Sequence, residues 1–284
     1  MKKFILACID GSSYSPAVCD ASAWVVHRLD AQLKFLHVLH KKQEVPQTDL
    51  SGNIGLGSRE SLLEELAALD EKRGKLAQQR GRQIIAEATE RARSIGVAEP
   101  EGLQRHGGLV ETLMELEQGI RLLVLGKRGE AALIASEHLG SHLERVVRAM
   151  KCSILVTTEA FRTPQRVMLA FDGSATASKV VDLVAASPLL TGLPCHLVMV
   201  GAETDEARAK LDQARQTLEQ SGFETTAVIL PGEPESVLSR YQKEKAIDLL
   251  IMGAYGHSRI RRLLIGSTTT AMLRKSEVPI LLLR

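Results

Sequence analysis

The sequence predicts an α/β fold of two tandem, doubly wound, parallel five-stranded sheets. Three observations carry this expectation: the chain is written twice, short apolar runs alternate with helical periodicity in each copy, and Asp-Gly-Ser closes the first apolar run of both. The 284 residues suffice for two domains of ordinary size, and 44% hydrophobic with 25% charged residues is the balance of a soluble globular protein.

The repeat is explicit. The run 4–12, ending Asp10-Gly11-Ser12, is echoed by 166–174, ending Asp172-Gly173-Ser174, at an offset of 162 residues. The run 122–126 returns at 249–253, an offset of 127, and Gly140-Ser141 returns as Gly266-Ser267, an offset of 126. The fall in offset assigns roughly 36 extra residues to the first copy, centred on the Gly/Ser/Glu-rich stretch 41–75 and expected to form a loop plus an added helix. The units are therefore expected at 1–160, with an insertion near 41–75, and at 164–284, where Pro164 precedes the second copy's first strand.

In the second copy, apolar runs at 167–171, 195–200, 225–230, 249–252 and 280–283 read as strands. The segments 175–187, 205–221, 234–245 and 267–276 have helical periodicity. Five strands with crossover helices between them imply a parallel sheet covered on both faces. The closing strands, 153–156 and 279–282, would leave exposed edges, so an internal pseudo-dimer joined near them is expected. Formation of a homodimer through the elaborated first copy is a further expectation.

Several function classes lose support at once. Thirty-six Lys and Arg against 34 Asp and Glu leave a net charge of +2, and aromatics are only 3%, so nucleic acid is not an expected partner. No run reaches the length of a membrane span, and the apolar stretch 4–9 stops at Asp10, too short for the core of a signal peptide. Cys8, Cys19, Cys152 and Cys195 form no C-x-x-C pair and read as reduced packing residues of a cytoplasmic protein. Walker, dinucleotide-binding and nucleophile-elbow motifs are all missing. His138 and His142 stand four apart, but no third ligand of matching pattern accompanies them, so no metal site is expected.

Three features of each copy fall at the carboxyl ends of strands, where open parallel sheets bind ligands. Asp172-Gly173-Ser174 reads either as a helix cap or as a turn that offers Asp172 to a ribose, a base or a metal-bound water. Gly253-Ala254-Tyr255-Gly256 is followed by nine residues, including His257, Arg259, Arg261 and Arg262, and then by Gly266-Ser267 at a helix start. Glycines let backbone N–H groups approach an anion, and a helix N-terminus adds partial positive charge, so this is phosphate-cradle chemistry; the plainer alternative is a turn and a helix start. Val200 ends the second strand, where it could lie against a flat base or simply pack in the core. The first copy has Asp10-Gly11-Ser12, Val38 and Gly126-Lys127-Arg128-Gly129, but ten residues rather than nine separate Gly129 from Gly140-Ser141.

The strand ending in Asp-Gly-Ser, together with Gly253-x2-Gly256-x9-Gly266-Ser267 before a last strand, resembles the universal stress protein family in its tandem-domain form. The resemblance implies a Rossmann-like fold that binds adenine nucleotides, with phosphates held at the Gly and Ser positions and the Asp and Val positions near ribose and adenine. Carried over by motif, the nucleotide-binding positions are Ala170, Asp172, Val200, Met252, Gly253, Gly256, Gly266, Ser267 and Thr268. In the first copy they are Cys8, Asp10, Val38, Leu125, Gly126, Gly129, Gly140, Ser141 and His142. The family also contains members that retain no nucleotide.

The expected function is that of a cytoplasmic stress-response protein. It would bind ATP, with Mg2+, or a related adenine nucleotide mainly in the second copy, and act as a switch toward a protein partner whose identity the sequence does not give. The alternatives are a slow ATPase or phosphoryl-transfer enzyme, for which no dedicated base is visible, and a ligand-free scaffold with a protein-binding surface.

Overall fold

Short aliphatic runs become strands here because they lie between two helical layers and are apolar on both faces. The computed structural model describes residues 3–39, 56–129, 141–254 and 266–284, with the backbone alone at 56–64, 141 and 142. The first half runs β1 (Phe4–Cys8), α1 (Ser15–Leu29), β2 (Leu33–Leu39), α2 (Leu56–Ser94), β3 (Glu101–His106), α3 (Leu109–Leu116), β4 (Ile120–Gly126), α4 (Ser141–Ala149) and β5 (Ser153–Thr157). The second runs β6 (Val167–Phe171), α5 (Ala175–Ala185), β7 (Cys195–Val200), α6 (Asp205–Gln220), β8 (Thr225–Leu230), α7 (Pro234–Glu244), β9 (Leu249–Gly253), α8 (Ser267–Lys275) and β10 (Ile280–Leu283). Four of the five strands expected in the second half have the expected bounds; β9 is one residue longer, and the four helices end one or two residues early.

The ten strands form one sheet in the order β3-β2-β1-β4-β5-β10-β9-β6-β7-β8. Every pair inside a half is parallel. The seam is antiparallel: Ile280 lies opposite Val156, Leu281 opposite Leu155 and Leu282 opposite Ile154. The two five-stranded units are thus joined edge to edge through their closing strands, whose leucines and isoleucines would otherwise form an aggregation-prone edge. The outer edges solve the same problem differently. β3, with Glu101, Arg105 and His106, is largely exposed and charged, and β8 is half-buried.

Two apolar layers flank the sheet. α1, α2, α5 and α6 pack on one face, around Trp24, Phe35, Val184 and Leu211. α3, α4, α7 and α8 pack on the other, around Leu113, Val146, Leu238 and Met272. Caps fix where the helices begin: Ser174 Oγ accepts from the Ala177 amide at α5, and Thr204 Oγ1 accepts from the Ala207 amide at α6. Asp205 and Glu206 in the first turn of α6 also complement its dipole. Polar contacts cross between the halves as well, with Arg274 of α8 3.0 Å from Glu144 of α4.

The halves differ most in α2, which has 39 residues where its counterpart α6 has 16. The loop plus added helix expected at 41–75 takes another form. From Leu56 onward these residues are the front of one continuous helix, and residues 40–55 lie outside the described ones. Residues 65–80 of α2 are all exposed. The helix first meets the sheet at Gln78, whose carbonyl accepts from Gln104 Nε2 of β3 at 3.3 Å, and is first buried at Gly81. Among the described residues no helix is long and apolar enough to cross a membrane.

Candidate functional site

The strand order reverses direction between β1 and β4 in the first half and between β6 and β9 in the second. The crossovers leave to opposite faces at these points, so a crevice opens beyond the carboxyl ends of the flanking strands. Helices in such a fold run against the strands, which brings the N-termini of α4 and α8 to that same end.

The floor of each crevice follows from period-two alternation. Leu169 pairs with Ile251, so the next residues, Ala170 of β6 and Met252 of β9, lie side by side. Ala170, Val200 and Met252 all turn toward the layer of α7 and α8, and Cys8, Val38 and Leu125 turn likewise toward α3 and α4. Met252 and Leu125 are buried, while Ala170, Val200, Cys8 and Val38 are half-buried at the strand ends. The six apolar positions assigned by motif thus form two equivalent groups, each on one face of the sheet.

The Asp-Gly-Ser turns are built alike in the two halves. Asp172 Oδ1 accepts from the Ser174 amide at 3.0 Å while Ser174 caps α5, so the serine does the capping and the aspartate shapes the turn. Asp10 Oδ1 accepts from the Ser12 amide at 3.0 Å in the same way. Gly11 and Gly173 adopt φ of 77° and 70°, the left-handed conformation that favours glycine. The turns leave Asp172 exposed and Asp10 half-buried at the crevice rim.

The glycine loops lie close above. A Cβ on Gly126 would stand 2.8 Å from Tyr14 Cβ, and one on Gly129 would stand 2.7 Å from Asp10 Oδ2, so both glycines let the first loop settle onto the Asp-Gly-Ser turn. At Gly253 the nearest atom would be Val180 Cγ2 at 3.3 Å. The amides that follow are already engaged: Lys127 donates to the Thr157 carbonyl and Ala254 to the Leu283 carbonyl. In the second half, Gly266 is the N-cap of α8 and has no side chain to accept from the first-turn amides; Ser267 is exposed and Thr268 half-buried. Ser141 opens α4, with His142 next. Tyr255, Gly256, His257, Arg259, Arg261, Arg262, His138 and Gly140 lie outside the described residues, as do the side chains of Ser141 and His142.

Other residues at the site carry no motif signal. Ile84 of α2 covers the first turn, with Cδ1 2.8 Å from a Cβ on Gly11, and Lys210 of α6 covers the second, with Cδ 3.3 Å from a Cβ on Gly173. They occupy matching positions at the offset of 126, the one signal that could have found them. Lys127 turns from the first loop to donate from Nζ to the Ser276 carbonyl, just past α8, at 2.8 Å. Burial, and next Arg128, hold its ammonium below the usual lysine range.

Burial also governs the thiols. It pushes Cys8 up, with Asp10 and Cys152 adding to the shift, and raises Cys19 and Cys195 to about 12 and Cys152 to about 11. Even for Cys152, the move from 9.0 to about 11 cuts the thiolate population at pH 8 roughly 100-fold. All four are free thiols, so a thiol reagent at pH 8 is expected to label the native protein slowly and to count four thiols quickly after denaturation. Native labelling should accelerate only as pH rises toward 11. Rapid labelling of two or more thiols at pH 8 in the folded protein would contradict this.

The sequence pattern of the Universal stress protein family matches residues 1–158 and 196–284. The chain belongs to the universal stress protein family. Universal stress protein Slr1230 of Synechocystis sp. is 39% identical over 286 residues, covering 99% of this chain and 100% of its own. Universal stress protein MJ0577 of Methanocaldococcus jannaschii is 30% identical over 81 residues, 28% of this chain and 50% of its own. Among solved structures, a universal stress protein from Archaeoglobus fulgidus DSM 4304 superposes with a TM-score of 0.69 at 18% identity, covering 99% of this chain and 95% of its own. The tandem, mostly parallel architecture is therefore shared along the whole chain.

Proposed function

We propose that this universal stress protein acts in the cytoplasm as two linked units, 1–160 and 164–284, and binds ATP or a related adenine nucleotide, mainly in the second crevice, as a regulatory switch. The observation that carries the proposal is the apolar floor of Ala170, Val200 and Met252, at the carboxyl ends of adjacent strands on the face covered by α8, whose N-cap is a glycine.

An apolar floor suits a flat purine ring. Asp172, exposed at the rim, is an acceptor for ribose hydroxyls, since a carboxylate has about four lone-pair sites and can take more than the Ser174 amide. The start of α8 offers amides and partial positive charge to phosphates through Gly266, Ser267 and Thr268, and Gly253, the last residue of β9, and Gly256 complete the motif. Mg2+ would enter with the phosphates of ATP. Cys8, Asp10, Val38, Leu125, Gly126, Gly129, Gly140, Ser141 and His142 would form the lesser first site. Nucleotide acts here by linkage: whichever conformation it contacts better gains population, and a protein partner reads the difference.

The test is mass spectrometry of the supernatant from denatured, freshly purified protein, followed by thermal melts with ATP and magnesium. Saturation at 100 times Kd should add about 2.7 kcal/mol of stability. Ser267→Pro deletes an amide at the first position of α8, where proline is tolerated, and should keep the fold while reducing the ATP-induced shift. Asp172→Asn keeps the acceptor for Ser174 and removes the charge, and should weaken binding about 10- to 100-fold. Absence of both co-purified nucleotide and any shift would refute the proposal.

A further inference from the structure

We propose that the free-standing front of α2 is a self-association surface that joins two copies of this chain as an antiparallel helical pair. The starting observation is an unusual exposure of apolar residues: Leu66, Leu69 and Leu76 are 50%, 45% and 57% exposed on a helical segment, 65–80, in which every residue is exposed and which Gln104 of β3 reaches at the Gln78 carbonyl. With Arg73 they follow the alternating three- and four-residue spacing that places residues on one stripe of a helix and forms the seam of a coiled coil. An isolated helix of this length is marginal in water, and pairing along such a stripe is the ordinary way to stabilise one.

Charge identifies the occupant. Positions 60–71 contain Glu60, Glu64, Glu65, Asp70 and Glu71 and no Lys or Arg; positions 72–82 contain Lys72, Arg73, Lys75, Arg80 and Arg82 and no Asp or Glu. The two blocks meet at residue 71. A second copy laid antiparallel about that point sets each acidic block against the other copy's basic block. It also places Leu66 beside Leu76, and Leu69 beside the methylenes of Arg73. A parallel pairing would set like charge on like charge along the whole segment and cost association energy. The helix is therefore complementary to itself in one orientation. Within one chain the blocks make exposed intrahelical pairs, Asp70 with Arg73 at 3.7 Å and Glu71 with Lys75 at 2.6 Å, which are weak enough to exchange for partners on another copy.

Sedimentation equilibrium or light scattering on the full chain at tens of micromolar tests the inference. The expected mass is twice that of one chain. Leu66→Glu/Leu69→Glu/Leu76→Glu should sediment as a monomer that still folds and melts cooperatively, because these side chains are exposed in the single chain. Lys72→Glu/Arg73→Glu/Lys75→Glu should also be monomeric alone, and should form a one-to-one dimer when mixed with Glu65→Lys/Asp70→Lys/Glu71→Lys. A monomeric wild type, a leucine variant that stays dimeric, or a charge-inverted variant that still self-associates would each overturn the proposal.

Discussion

Leu281→Asp is expected to leave the protein insoluble on expression, or unfolded at 25 °C. Leu281 sits at the seam of the sheet, 1% exposed, paired across the antiparallel junction with Leu155, which is 0% exposed, and flanked on its other side by Ile251 of β9. Removing a leucine side chain from such a site costs about 2–5 kcal/mol through lost transfer energy and an unfilled cavity. A carboxylate placed there adds several kcal/mol more, because neither neighbouring strand offers a cation to pair with it. The sum rivals the roughly 5–15 kcal/mol by which whole domains are stable. Leu281→Ala is the measurable companion, with an expected loss of about 3 kcal/mol in denaturant titration. The truncation of Leu183, 41% exposed on α5, should cost little by comparison. If Leu281→Asp were soluble and melted within a few degrees of wild type, the seam would contribute little to the fold.

The seam also shows what the sequence could reveal. Leu155, Leu281, Ile154 and Leu282 occur in closing runs too apolar to leave as free edges, so their meeting was legible, and so were the strand bounds of the second half. The length of α2 was not. Residues 65–80 bury nothing in the single chain, their short leucine stripe is interrupted by Arg73, and Gly74 and Gly81 favour reading a loop. β3 is similarly faint, because Glu101, Gln104, Arg105 and His106 suit an exposed edge rather than a buried strand. At the crevice, Ala170 and Met252 come with the family motif and Val200 from its place at a strand end, and alternation along the strands puts the three on one face of the sheet. Ile84 and Lys210 are not legible in this way, because residues far apart in sequence are brought over the turns only by the packing of α2 and α6.

Gly126→Ala and Gly253→Ala, the same substitution at matching positions, should differ by about 1–3 kcal/mol in stability, with the first-half variant the weaker. Neither glycine has a positive φ, so conformational strain is equal and the outcome depends on space. At Gly126 the new methyl would stand 2.8 Å from Tyr14 Cβ and 3.2 Å from the Arg128 carbonyl oxygen. A Cβ cannot rotate away, so either the loop lifts from α1 or the helix start moves. Lifting the loop also carries Gly129 away from Asp10 and loosens Lys127 from the Ser276 carbonyl, so the change spreads into the second half. At Gly253 the methyl would meet Val180 Cγ2 at 3.3 Å, a contact that a few tenths of an ångström of side-chain motion relieves. There the reduced freedom of the unfolded chain, worth about 0.4–1 kcal/mol, offsets much of the cost, and the variant should be close to neutral. Denaturant titration of both variants, each with and without ATP, separates packing from binding. Loss of stability at Gly126 with an intact ATP response would place the glycine's importance in the fit of the first loop. Equal stability of the two variants would show that the first loop does not rest on Tyr14 as closely as these contacts require.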